Sequence, residues 1–226
     1  MRKLAAICRS ILFSLVFFGG TVLLVLFAFV AERLDRDLFM ASVQWWSRYH
    51  RFCARWIVGQ RVVVEGRFPR EAAFYVLKHE SMFETLDLPH LLGVPMVAAK
   101  RELLEIPVWG RLARAYGLLA VDRGAGASAL RRLRSDARAA LAAGRPLCFF
   151  PEGTRVPHGE APPLKSGFAG LYGMMQVPVI PVAVDSGALN PAGGWLRYPG
   201  IVRYRVGEAV PPGLDRKEAE ARVHAA

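Results

Sequence analysis

Residues 11–30 are twenty consecutive positions without a charged side chain, and this run limits what the chain can fold into more than any other stretch. A helix of about twenty apolar residues spans about 30 Å, the thickness of a bilayer's hydrocarbon core. Arg2, Lys3 and Arg9 precede the run. A secretory leader has the same outline, but Phe27-Ala28-Phe29-Val30 is too bulky for a small-residue cleavage site, so the run reads as a retained anchor. A basic start holds the N-terminus in the cytoplasm, and one full crossing would carry everything after it to the other side. Gly19-Gly20 offers a bend. The next segment, 38–58, mixes Trp45, Trp46, Tyr49 and Trp56 with Arg48, Arg51 and Arg55, the composition of a helix at a membrane surface. Two helices dipping into one leaflet reconcile these signals. Residues 1–58 are therefore expected to form a membrane-associated helical hairpin.

At Gln60 the texture changes. Short apolar runs alternate with helical patterns, which predicts an α/β fold with a mixed, mostly parallel sheet flanked by helices. Strands are expected at 61–65, 74–77, 96–99, 118–121, 147–150, 179–184 and 201–206. Helices are expected at 107–116 (opened by Pro107), 128–143, 167–176 and 217–223. This division predicts a second unit, 59–226, that folds without the hairpin. The net charge of +11 calls for an acidic partner, and the apolar N-terminus points to an anionic membrane rather than nucleic acid. The three cysteines are far apart and odd in number, so no disulfide framework is expected, and each reads as a small buried residue. No metal-ligand spacing is present.

The chemistry centres on Lys78-His79-Glu80-Ser81-Met82-Phe83-Glu84, between the apolar run Phe74-Tyr75-Val76-Leu77 and a leucine-spaced helix. Five residues along one helix would place His79 and Glu84 about 140° apart. They meet only if His79 precedes the first turn and Glu84 lies within it, as the strand ending at Leu77 allows. His79 then reads as a general base and Glu84 as the carboxylate that orients it. Lys100 and Arg101 follow another strand and are placed to reach the same rim, as is Arg123. Arg131, Arg134 and Arg138 share one helix face, either solvated or meeting an acidic partner.

Four blocks in order over residues 74–184 resemble the PlsC-like glycerolipid acyltransferase family: His79 with Glu84, where that family has H-x4-D; Lys100-Arg101-Glu102-Leu103 with Pro107 and Gly110; Phe150-Pro151-Glu152-Gly153-Thr154-Arg155; and Val177 to Val182. The resemblance implies acyl transfer to the sn-2 hydroxyl of 1-acyl-sn-glycerol-3-phosphate (lysophosphatidic acid), from acyl carrier protein or coenzyme A as co-substrate and with no cofactor. It implies that Glu152, Gly153, Thr154 and Arg155 cradle the glycerol phosphate beside Lys100 and Arg101, with Glu152 orienting Arg155 or a hydroxyl. It also implies a bacterial-type inner membrane rich in phospholipid, with the site facing the cytoplasm. Another lysolipid acceptor, such as a lyso-ornithine lipid, or a non-catalytic lipid-binding role are the alternatives. Ser81 lacks the G-x-S-x-G elbow of an acyl-enzyme nucleophile.

Overall fold

The computed structural model describes residues 2–69, 71–121 and 126–226. Two long helices open the chain, α1 (Arg2–Leu34) and α2 (Arg36–Cys53), and α2 runs on into a π-helical turn, Ala54–Val58. Asp35 caps α2, its side chain accepting from the Leu38 N–H at 2.6 Å. After the turn come β1 (Gln60–Glu65), β2 (Phe74–Leu77), α3 (Phe83–Leu92), β3 (Met96–Lys100), α4 (Trp109–Tyr116), β4 (Leu119–Val121), α5 (Gly126–Ala142) and β5 (Leu147–Phe149). The chain then forms α6 (Ser166–Met175), β6 (Val179–Val184), β7 (Gly200–Val206) and α7 (Arg216–Ala225).

The strands form one seven-stranded sheet in the order β1-β7-β6-β2-β5-β3-β4. β2 lies at its centre, parallel to β5 and β6, and β3 extends the parallel set to β4. β7 runs antiparallel to β6 and carries β1 parallel to itself at the edge. The expected mixed, mostly parallel sheet is what forms. Its central strands are apolar throughout because both faces are covered. Tyr75, Leu77, Cys148, Ile180 and Val182 pack with Phe13 and Phe17 of α1, Cys53 at the end of α2 and Leu86 of α3. On the other face Phe74, Val76, Leu147 and Val179 pack with Leu133 and Ala137 of α5, Phe168 and Leu171 of α6, and Ala219 of α7.

Three local expectations change. α1 is one unbroken helix through Gly19-Gly20, about 50 Å long at 1.5 Å per residue. Gly20 serves packing instead: a Cβ there would collide with the Tyr49 ring, whose hydroxyl donates to the Val16 carbonyl at 2.6 Å. Pro107 does not open α4; a 3-10 turn at Arg101–Glu105 comes first, and Val108 takes a positive φ (φ 64, ψ −59), with the Trp109 N–H donating to the Pro107 carbonyl at 2.7 Å, before the helix begins at Trp109. Gly110 is required there because a Cβ would strike the Leu104 carbonyl of that turn. Finally, the break in texture at Gln60 marks the start of β1, but it does not separate two cores, since α1 and α2 share theirs with the sheet.

The hairpin is also tied to α3 by polar contacts. Arg51 forms a forked ion pair with the fully buried Asp87, at 2.5 and 2.8 Å. The Ser47 hydroxyl donates to the Leu86 carbonyl at 2.7 Å and accepts from the His90 N–H at 3.1 Å. The opposite side of α1 is apolar and exposed, with Ile11, Leu15, Phe18, Val22, Leu23, Leu26 and Val30 pointing away from the protein. Lys3–Leu34 is long and apolar enough to cross a membrane, and this face is consistent with membrane association.

Candidate active site

The parallel strands β2, β3, β5 and β6 end at the same side of the sheet, and their C-terminal loops build the site, as in open α/β folds generally. The loop after β2 supplies His79 to Met82, and α3 begins at Phe83, so His79 precedes the helix and Glu84 sits in its first turn. The two side chains meet: His79 Nδ1 lies 3.0 Å from Glu84 Oε1. With Nδ1 donating to the carboxylate, Nε2 is left to act on a substrate. The imidazole stacks on Phe150, centroids 4.2 Å apart, which fixes its plane.

Glu84 is fully buried, and both its oxygens are engaged. Oε1 also accepts the main-chain N–H groups of Glu80 and Ser81, at 2.7 and 2.8 Å. Oε2 accepts the Ser81 hydroxyl at 3.0 Å and the Ser186 hydroxyl. Burial alone would raise the Glu84 pKa; the hydrogen bond and charge of His79, the Ser186 hydroxyl and the Ser81 N–H outweigh it and hold the carboxyl below its ordinary value of 4.5. Ser81 is buried, and its oxygen accepts the Phe83 N–H at 3.0 Å while its proton goes to Glu84. It is a structural link in the turn rather than a nucleophile open to substrate.

Residues 150–155 follow β5. Gly153 takes a left-handed conformation (φ 66), and its N–H donates to the Phe150 carbonyl at 3.1 Å, so the segment doubles back tightly. The residue that follows ties it to the His79 turn: the Val156 N–H donates to the His79 carbonyl at 2.8 Å. Thr154 and Arg155 are exposed on this turn. Glu152 differs from expectation. It is buried, no ion pair joins it to the Arg155 guanidinium among the described residues, and Oε2 is left without a hydrogen-bond partner there. Burial raises its pKa, against the opposing pull of its own N–H, that of His79, and the charges of Lys78 and His79. Glu152 thus lies beneath the turn rather than on its rim. Lys100 ends β3 and Arg101 opens the 3-10 turn, so their backbones reach the same end of the sheet; their side chains lie outside the described residues, as does Arg123.

Sequence reasoning gave Ser186, Glu80 and His158 no part in the site. Ser186 follows β6, in a 3-10 turn at Ser186–Ala188, and is fully buried against Glu84. Glu80 is 3% exposed; its Oε2 accepts the Gly187 N–H at 2.9 Å and lies 3.0 Å from His158 Nδ1. Glu80 therefore pins the Ser186 turn and also the loop after Arg155, where the Lys78 ammonium donates to the Glu160 carbonyl. Ser186 and His158 belong to no recognisable motif, and Glu80 lies inside the His79–Glu84 stretch without a motif role, so only tertiary contact reveals what the three do. His50 is buried between Phe17 and Phe83. Cys53 and Cys148 are buried as expected, while Cys8 is exposed on α1.

With this geometry in hand, the comparisons with known proteins agree with it. The family model described as Acyltransferase matches residues 61–185. A 1-acyl-sn-glycerol-3-phosphate acyltransferase of Pseudomonas aeruginosa is 31% identical over 210 residues, covering 89% of this chain and 80% of that protein. The alpha form of the same enzyme from Mus musculus is 32% identical over 139 residues, 59% of this chain and 48% of its own length. The crystal structure of the lysophosphatidic acid acyltransferase PlsC from Thermotoga maritima superposes with a TM-score of 0.74 at 24% identity, covering 98% of this chain and 92% of that one, and so shares the fold. The matched region holds the His79–Glu84 pair and the 150–155 turn, and the chain belongs to the acyltransferase family.

Proposed function

We propose that this protein transfers a fatty acyl group from a thioester of acyl carrier protein or coenzyme A to the sn-2 hydroxyl of 1-acyl-sn-glycerol-3-phosphate, giving phosphatidic acid. The observation that carries the reading is the His79 Nδ1–Glu84 contact at 3.0 Å, in a turn locked to the 150–155 segment. His79 Nε2 removes the hydroxyl proton as the oxygen attacks the thioester carbonyl. The C–O bond forms, the tetrahedral intermediate collapses, and the C–S bond breaks. The imidazolium, stabilised by the buried Glu84 carboxylate, returns the proton to the leaving thiolate. The donor is already activated, so no enzyme nucleophile is needed, in keeping with a Ser81 committed to the turn.

Arg155, exposed at the end of its turn, is assigned to the acceptor's phosphate, with Lys100 and Arg101 on the same rim. The hairpin holds the enzyme on a phospholipid membrane, and the site faces the cytoplasm, where acyl thioesters are made. The test is acylation of a panel of lysolipids by purified protein with labelled donor. His79→Ala is expected to lower turnover by about 10²–10⁴-fold without loss of fold. Arg155→Lys is expected to raise the acceptor KM more than the donor KM, because lysine keeps the charge but loses the fork. Acylation of lyso-ornithine lipid in preference to lysophosphatidic acid would assign a different acceptor.

A further inference from the structure

A cavity of about 70 Å³ adjoins the site, lined by Ser81, Met82 and Arg155 together with Phe13, His50 and Arg197. It is several times the ~10–15 Å³ that one water needs, and so has room for a larger group. Arg197 belongs to the loop before β7 and is held firmly in place. Its main-chain N–H donates to Ser10 Oγ of α1 at 2.8 Å, and its guanidinium lies 4.3 Å from the centroid of the Phe13 ring. One Nη1 proton goes to the Trp195 carbonyl at 3.0 Å.

What Arg197 lacks is an anion. Among the described residues no carboxylate pairs with it, although burial disfavours its charge. The other charged groups nearby are accounted for. Arg51 is paired with Asp87, and burial lowers the His50 pKa to about 4. A partly desolvated guanidinium beside a cavity is costly unless something negative completes it, and several of its N–H donors remain available. The same cavity is lined by Arg155, which comes from a different loop and has no carboxylate partner among the described residues either. Two guanidinium forks on one cavity, whose remaining lining mixes polar Gln60 and Asn190 with apolar Phe83 and Leu196, match the several oxygens and the charge of a phosphate monoester on a lipid.

We propose that Arg155 and Arg197 together clamp the phosphate of the acceptor lipid, so that Arg197 sets head-group specificity. This rests on the acyl-transfer reading above. Phosphate also occurs in the acyl donor's carrier, and the experiment separates the two sources.

The full chain in detergent micelles is assayed as wild type, Arg197→Met and Arg197→Lys, varying lysophosphatidic acid and donor independently. Methionine keeps an apolar stem on Phe13. Arg197→Met is expected to raise the acceptor KM about 10-fold or more, the usual loss for a charge-assisted hydrogen bond, with kcat and the donor KM within about twofold of wild type. Arg197→Lys should fall between. As a readout independent of turnover, sn-glycerol 3-phosphate should raise the wild-type Tm and protect Arg197→Met less, while glycerol protects neither. An unchanged acceptor KM in folded Arg197→Met, a rise in the donor KM instead, or equal protection by glycerol 3-phosphate overturns the clamp. If Arg197→Met does not fold, a wild-type acceptor KM in Arg197→Lys overturns it. Wild-type protein that acylates no phosphate-bearing lysolipid overturns the acyl-transfer reading itself, a result distinct from a failed clamp in an active enzyme.

Discussion

At Glu84 one extra methylene, relative to the aspartate of the family's motif, is placed without loss of the histidine contact. The side chain turns back over its own helix start, so Oε1 gathers His79 and two N–H groups while Oε2 reaches Ser81 and Ser186. Glu84→Asp is expected to keep a measurable part of the activity, well above Glu84→Gln, and Ser186→Ala should lower turnover while leaving the acceptor KM unchanged. Steady-state kinetics on the three variants decide this. The pH dependence follows from the direction of each shift. Glu84 has a depressed folded pKa, so its stabilisation is fully present above the ordinary 4.5 and is lost as pH falls through the lower folded value. The Tm gap between wild type and Glu84→Gln should therefore close in acid. Glu152 has the opposite sign. Its folded pKa is raised, so its charge opposes folding increasingly as pH rises through 4.5 and levels off above the raised value. Glu152→Gln should gain stability relative to wild type over that rise, which thermal unfolding between acid and neutral pH will show.

At the level of the element, α1 has two jobs on two faces. Ala6, Ser10, Phe13 and Phe17 are buried against the protein, while Leu15 and Leu23 are 70% and 69% exposed. Phe13→Ala or Phe17→Ala should destabilise the fold by about 3–5 kcal/mol, the usual cost of emptying a buried aromatic site. Replacing Leu15 and Leu23 together with asparagine should leave the Tm nearly unchanged and weaken flotation with vesicles at high salt, where charge attraction is screened. If the exposed-face change unfolds the protein instead, that face is part of the core.

For the whole molecule, the hairpin is a structural wall as well as the bearer of the exposed apolar face of α1. It covers the sheet face that carries Tyr75, Leu77 and Ile180, and Arg51 neutralises the buried Asp87 of the helix that bears Glu84. Deleting residues 1–58 should therefore give an aggregating chain rather than the freely folding 59–226 unit expected from texture alone. Size-exclusion chromatography of the truncated protein checks this, and a monodisperse, cooperatively melting product would restore the separable unit. Arg51→Ala should cost about 3–5 kcal/mol, because it leaves a carboxylate buried without its partner. Through α3, that damage should reach turnover too.

The sequence by itself determined every strand to within a residue or two, because central parallel strands are apolar on both faces and bounded by turn residues. It also determined the meeting of His79 and Glu84, which depends only on a strand ending at Leu77 and a helix beginning within the next few residues. Local chain geometry settles such contacts. Tertiary structure alone decided what holds Glu84 from behind, since Ser186 lies 102 residues away and reaches it only because β6 pairs beside β2. It decided that Gly20 is a seat for Tyr49 and not a bend, that Glu152 is buried beneath the turn, and that Arg197 comes to share a cavity with Arg155. Each of these depends on which surfaces meet when the sheet is assembled and covered, and periodicity along a chain carries no record of that.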